Sequence, residues 1–356
     1  MSLLDDPEGG SLNDLVWTAK AVVKTYGGAG ATIERGHEKL RREYTFLTEL
    51  PPRAAAHFPR VLSYTDRWSP RRTALALERL PQRAIAKAIL LGEHDPSRTV
   101  ALCARAMDVL VADVYPLRSQ SVPAREVWER HHLGRLRTAL ARLGAVPDIA
   151  PLLAVGELHV NGNACPGLST VVDFIDAHSG RYFFDSRAVA AHGDTHLDNL
   201  LGSSFGPLTV RLIDPRGDLH LEPSYDFAKL LKAARTLYDP IHYGYREVTV
   251  TERRGIRVDL TVETKWNAHY VALLALLHDR AAEYADLQGL SVPEFWRTAL
   301  ATEFAHVVSF AFYHAHRPRS RDLDRVRAYI AVAALLGRQL MLTGPDQIPD
   351  TRRTVL

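Results

Sequence analysis

The sequence predicts an α+β chain of two unequal lobes, a small strand-rich one over residues 1–80 and a larger, mainly helical one over residues 81–356. Three observations predict it. The first lobe holds a β-rich run, Ala21–Tyr26, followed by a single amphipathic helical stripe. Helical periodicity dominates the remainder and closes in three long candidates near 264–287, 292–315 and 321–343. Between these regions, residues 192–217 break the helical pattern with loops and a short strand-like run.

The elements follow in order. Gly9-Gly10-Ser11-Leu12-Asn13 is a polar, glycine-containing start whose backbone N–H groups are open to a ligand. Ala21-Val22-Val23-Lys24-Thr25-Tyr26 reads as a strand that carries Lys24, with Lys20 as a nearby competitor. From Gly36 to Leu50, Leu40, Tyr44, Leu47 and Leu50 form one helical stripe that Pro51-Pro52 stops, and Glu43 lies at its edge. Residues 86–145 are mostly helix-like, and 156–167 is rich in turns. Val210–Ile213 reads as a buried strand running into Asp214 and the turn Pro215-Arg216-Gly217. Then Phe227, Leu230, Leu231, Ala234 and Leu237 take helical spacing behind Ser224 as N-cap.

Composition excludes several classes. A net charge of +3 is too small for a nucleic-acid footprint. Cys103 and Cys165 make neither a disulfide framework nor a metal knuckle. The acidic start, Met1-Ser2-Leu3-Leu4-Asp5-Asp6, lacks the apolar core of a signal peptide, and no apolar run approaches the ~20 residues of a membrane span. A cytoplasmic protein with neither nucleic-acid nor membrane partners is expected, of open oligomeric state.

The chemistry concentrates in His192-Gly193-Asp194-Thr195-His196-Leu197-Asp198-Asn199 and in Leu212-Ile213-Asp214. Asp194 and Asn199 have the separation of a phosphotransferase catalytic loop, in which the Asp accepts a hydroxyl proton and the Asn reaches metal. Asp214 is then a second hard-oxygen ligand, and magnesium usually takes only one or two from protein. The i, i+4 pair His192 and His196 also suits zinc on a helix, but Gly193 stands where the zinc-protease pattern needs Glu and weakens such a helix.

These residues resemble the aminoglycoside phosphotransferase and choline kinase superfamily, whose fold is similar to that of protein kinases. His192-Gly193-Asp194-x-His196-x-x-Asn199 matches its catalytic motif, Ile213-Asp214 its metal motif, and Val22-Val23-Lys24 its nucleotide lysine. The resemblance implies a protein-kinase-like two-lobed fold in which Asp194 is catalytic and Asn199 and Asp214 bind magnesium. Lys24 would meet the phosphates of ATP, oriented by Glu43 or, as the alternative, Glu38; the residues leave GTP open. Gly10 and Ser11 would cover the phosphates, and Glu78, Arg79 and Leu80 would meet adenine through main-chain atoms. His192, His196 and Asp226 would support the site.

The acceptor expected from the resemblance is a small hydroxylated molecule such as an aminoglycoside, sugar, nucleoside antibiotic or amino alcohol. Asp218, His220, Glu222, Asp239 and His242 are the polar residues expected along its path. Two other readings share the sequence: a kinase acting on Ser or Thr of a precursor peptide, and a pseudokinase that binds partners without transfer.

Overall fold

The computed structural model describes residues 14–26, 33–68, 71–217, 220–252, 255–315 and 322–356. Gly10, Ser11 and Asp218 lie outside the described residues. Contacts divide the chain into two compact units, one formed by Met1–Gln120 with Val189–Leu221, the other by Ser121–Ala188 with Glu222–Leu356. This division differs from a boundary at residue 80, because the segment carrying Asp194 and Asp214 packs with the N-terminal residues.

In the first unit, β1 (Asp14–Trp17), β2 (Ala21–Tyr26), β3 (Val61–Trp68) and β4 (Arg71–Glu78) form an antiparallel sheet of order β1-β2-β4-β3. Thr18 closes the β1–β2 turn, its backbone N–H donating to the Ala21 carbonyl at 2.9 Å. Helix α1 (Ile33–Glu49) packs on this sheet through buried Leu40, Phe46 and Leu47, and Tyr44 stacks on Tyr64 of β3 at 4.2 Å. A second, three-stranded sheet has the order Val210–Leu212, Leu200–Gly202, β5 (Arg83–Ala84). Its register, Leu200 opposite Leu212 and Leu201 opposite Ala84, sets Asn199 beside Ile213.

The second unit is built on four long helices. Pro223–Thr236 is buried along its whole length, and Asn267–Gln288, Val292–Ala315 and Leu323–Thr343 match the three C-terminal helices the periodicity predicts. Helix Pro223–Thr236 starts one residue before Ser224 and has Glu222 at its N-cap. Ser224 is thus inside the helix, not its cap, and its backbone N–H donates to Gln288 at 3.0 Å. The helix Leu323–Thr343 has the length and mean hydropathy of a membrane span, although 67% of its most apolar window is buried inside the protein.

The sequence reading missed one element of this unit. Arg246–Thr251, Arg257–Val262, Glu157–Val160 and Asn163–Pro166 form a four-stranded sheet in that order, in which Arg257–Val262 pairs in parallel with Glu157–Val160. Val258, Leu260 and Val262 turn inward at period two.

Candidate active site

Lys24 sits at the centre of β2 with its side chain turned into the first unit, where Glu43 and Asp214 meet it. Its Nζ donates to Glu43 Oε1 at 2.6 Å and to Asp214 Oδ1 at 2.7 Å. Glu43 is fully buried on the inner face of α1, whereas Glu38 pairs with Arg42 at the surface. The pairing expected for Lys24 therefore falls to Glu43. A second lysine that sequence reasoning passed over, Lys39, reaches Asp214 Oδ2 at 3.4 Å.

Electrostatics follow from this closeness. Burial by itself would lower Lys24, but the carboxylates of Asp214 and Glu43 outweigh it and hold the ammonium above its usual range. For Asp214 desolvation opposes ionisation, yet Lys24 and Lys39 keep its carboxyl well below the usual carboxylate range. Burial pushes Glu43 up against the pull of Lys24.

Asp214 leaves its strand with φ of +54°, a left-handed conformation that Asp tolerates better than most residues. Three residues on, Gly217 has φ of +73°, and a Cβ there would lie 2.6 Å from the backbone carbonyl of Arg42. Only a glycine lets this turn press against α1 beside Glu43.

The loop from His192 to Asn199 is closed on itself. The Asn199 amide donates to the Asp194 carbonyl at 2.8 Å and to its Oδ2 at 3.3 Å, leaving the amide oxygen as its remaining donor atom toward a cation. The Asn199 carbonyl accepts from the Ile213 N–H at 3.0 Å, so the two expected metal ligands are joined through adjacent main chain. His196 Nε2 lies 3.6 Å from Asp194 Oδ2, and the Leu197 carbonyl accepts from Ala86 N–H in the first turn of the helix Ile85–Leu90 that follows β5.

His192 is fully buried, its carbonyl accepting from Arg216 N–H at 2.7 Å and its Nδ1 from Asp194 N–H at 3.2 Å. Burial pushes its imidazole down to about 4, with Asp194 and Asp214 offsetting only part of the shift. Gly193 has φ of +79°, and a Cβ would lie 2.8 Å from Arg216 Cβ, which explains glycine where the protein-kinase loop has Arg. The strand before Asp214 is also pinned: Leu212 N–H donates to the His57 carbonyl at 2.8 Å, and Arg211 to the Phe58 carbonyl at 2.6 Å.

Of the residues expected to meet adenine through main-chain atoms, Glu78 and Arg79 donate their N–H groups to the carbonyls of Arg60 and Lys20 at 2.9 and 3.0 Å, as ordinary sheet and turn bonds. The Glu78 carboxylate instead ties Arg60, at 3.2 Å, to Arg211, at 3.7 Å. In the second unit Glu222 is buried with His131 at 3.3 Å, and Asp239 is fully buried with the Tyr270 hydroxyl donating to it at 3.2 Å. Helix packing encloses both carboxylates. His220 is half-buried, and Asp226 is buried in the first turn of Pro223–Thr236.

Among the described residues no cluster of three or more His, Cys, Asp or Glu is arranged to hold a metal. For magnesium the donor set suits: a carboxylate from Asp214 and an amide oxygen from Asn199, both hard ligands.

No family model and no curated protein matches the sequence. Among solved structures the chain is similar to the GDP complex of wild-type aminoglycoside 2′-phosphotransferase-IIIa, at 14% identity and a TM-score of 0.51, over 93% of this chain and 91% of that one. It also aligns with the apo form of a thermostable mutant of aminoglycoside phosphotransferase APH(4)-Ia, at 13% identity, a TM-score of 0.41 and 82% and 87% coverage. A third alignment, to ADP-bound aminoglycoside phosphotransferase APH(2″)-Ib, has 12% identity, a TM-score of 0.44 and 88% coverage of each chain. These last two scores are too low to add to the first. A small antiparallel sheet followed by a helical C-terminal region, together with the first likeness, gives the chain the kinase-like α+β fold of the aminoglycoside phosphotransferases.

Proposed function

We propose that this protein is a phosphotransferase that moves the terminal phosphoryl group of ATP to a hydroxyl of a small molecule of aminoglycoside, sugar, nucleoside antibiotic or amino alcohol type. The observation that carries this reading is the bonding of Lys24 to both Glu43 and Asp214, with Asn199 joined to Asp194 on one side and to Ile213 on the other. GTP is the alternative donor, and the GDP bound by the similar transferase supports keeping it.

Asn199 and Asp214 would hold magnesium, which supplies positive charge to the phosphate oxygens. Lys24 would meet the same phosphates, and Glu43 fixes the lysine so that little is lost in ordering it. Asp194 orients the acceptor hydroxyl and takes its proton as the oxygen attacks phosphorus and the bond to the nucleoside diphosphate breaks. Asn199, through its bond to the Asp194 carbonyl, keeps the loop in the shape that presents this carboxylate. His192, neutral because it is buried, supports the loop from inside without competing for the proton.

The test is mass spectrometry after incubation with nucleotide, magnesium and a pooled panel of aminoglycosides, nucleosides, sugars, amino alcohols and Ser/Thr-containing peptides. The expected result is one component heavier by a phosphoryl group, with the product lost in Asp194→Asn while nucleotide binding persists. Full turnover by Asp194→Asn overturns the assignment, and phosphate found only on a peptide overturns the small-molecule acceptor.

A further inference from the structure

Asp214 carries two cations, and they are not equivalent. Lys24 approaches Oδ1 at 2.7 Å and is anchored a second time by Glu43 at 2.6 Å. Lys39 approaches Oδ2 at 3.4 Å from one helical turn before Glu43, with its side chain 27% exposed. A divalent ion on Asp214 must share this carboxylate with both ammonium groups, and like charges a few ångströms apart repel strongly outside bulk water. The more weakly held cation is the one that yields, since its pair is longer and its ammonium keeps access to solvent.

We propose that Lys39 sets the divalent-ion affinity of this site by competing with the metal for Oδ2 of Asp214. The inference rests on Asp214 being a metal ligand, as proposed above, and extends it to a residue outside the matched motifs. The α1 backbone fixes the arrangement: Lys39 and Glu43 are four residues apart and share a helix face, and Gly217 seats the Asp214 turn against the same helix at Arg42. Displaced Lys39 remains tethered beside the site, so nucleotide phosphate offers its ammonium a replacement anion. Metal and nucleotide then reinforce each other's binding.

The experiment measures Mn2+ binding to the full chain by the EPR signal of the free ion, so that it reads affinity and not turnover. Lys39→Gln is expected to bind Mn2+ about fivefold more tightly than the wild type, the range of one partly exposed ion pair. Lys39→Arg, which keeps the charge, is expected to retain wild-type affinity. The gain is expected to vanish when Lys39→Gln is made in an Asp214→Asn background, which locates the competition on that carboxylate. Unchanged or weaker Mn2+ binding in Lys39→Gln, the same gain in the Asp214→Asn background, or no Mn2+ binding by either the wild type or Lys39→Gln overturns the proposal. Failure of the phosphotransferase reading is seen separately, as turnover that survives Asp194→Asn.

Discussion

Two buried ion pairs, one in each compact unit, show what separates a site from a support. In the second unit Arg235 and Glu303 pair within the helices, both nearly inaccessible, and Arg235 also donates to Gln339. Burial pushes Glu303 up against the pull of Arg235, so this carboxyl is held toward its neutral form. In the first unit the Lys24–Glu43 pair is also buried, but it opens through Asp214, whose side chain is 21% exposed and whose two lysines hold it ionised. Burial of opposite charges is therefore no mark of function by itself. An ionised group at the edge of the cluster, on left-handed backbone, is what would give the proposed site its face for a ligand.

The comparison breaks or sharpens under substitution. The largest effect is expected from Lys24→Met, which should lower turnover by roughly a thousandfold, the loss typical of a group aimed at transition-state charge. Thermal melting should show a folded protein of lower stability, since Glu43 loses its buried partner while Asp214 retains Lys39 and solvent. The matching change in the second unit, Arg235→Met, should act on stability instead. Removing one member of such a sealed pair costs about 3–5 kcal/mol, readable by chemical denaturation, with turnover per folded molecule unchanged. If Arg235→Met abolishes turnover in folded protein, the division into site and support fails.

A smaller effect is expected from Gly217→Ala. The added Cβ meets the Arg42 carbonyl at 2.6 Å and forces a side chain into positive φ. A loss of roughly 1–3 kcal/mol should appear in denaturation, together with weaker metal binding, because the turn bearing Asp214 is moved off α1. An undisturbed affinity would show that the close approach to α1 is dispensable for the site.

The last effect appears only at acid pH. His192 ionises near 6.5 when unfolded but only at about 4 when folded, so between these values the unfolded chain binds more protons. Stability is then complete above pH 6.5 and falls as the pH drops toward 4, by at most about 1.4 kcal/mol per pH unit from this residue. Denaturation midpoints measured across this window should show a shallower slope in His192→Asn than in the wild type.

The parts of the site that were legible in the sequence are those whose chemistry is local. Asp194, Asn199 and Asp214 stand at motif spacing, and Lys24 and Glu43 fall on a strand and a helix that hydrophobic pattern alone predicts. Lys39 was lost because Arg41 and Arg42 surround it with the appearance of a solvated face, and only the fold brings Asp214 to it across 175 residues. The four-stranded sheet was hidden for a related reason. Its parallel pairing joins Arg257 to His159, a contact no local pattern announces, although Val258, Leu260 and Val262 do alternate. The partners of the Glu78 and Arg79 N–H groups were hidden in the same way, since they depend on how Arg60 and Lys20 are placed.

The left-handed backbone at Asp214 decides which replacement there can be interpreted. Asparagine shares the short polar side chain that tolerates positive φ, so Asp214→Asn removes charge while leaving the chain's path nearly untouched. Alanine or a longer carboxylate would bend the turn as well, and a loss of activity would then mix shape with electrostatics. A carboxylate in this conformation comes with its own isosteric control.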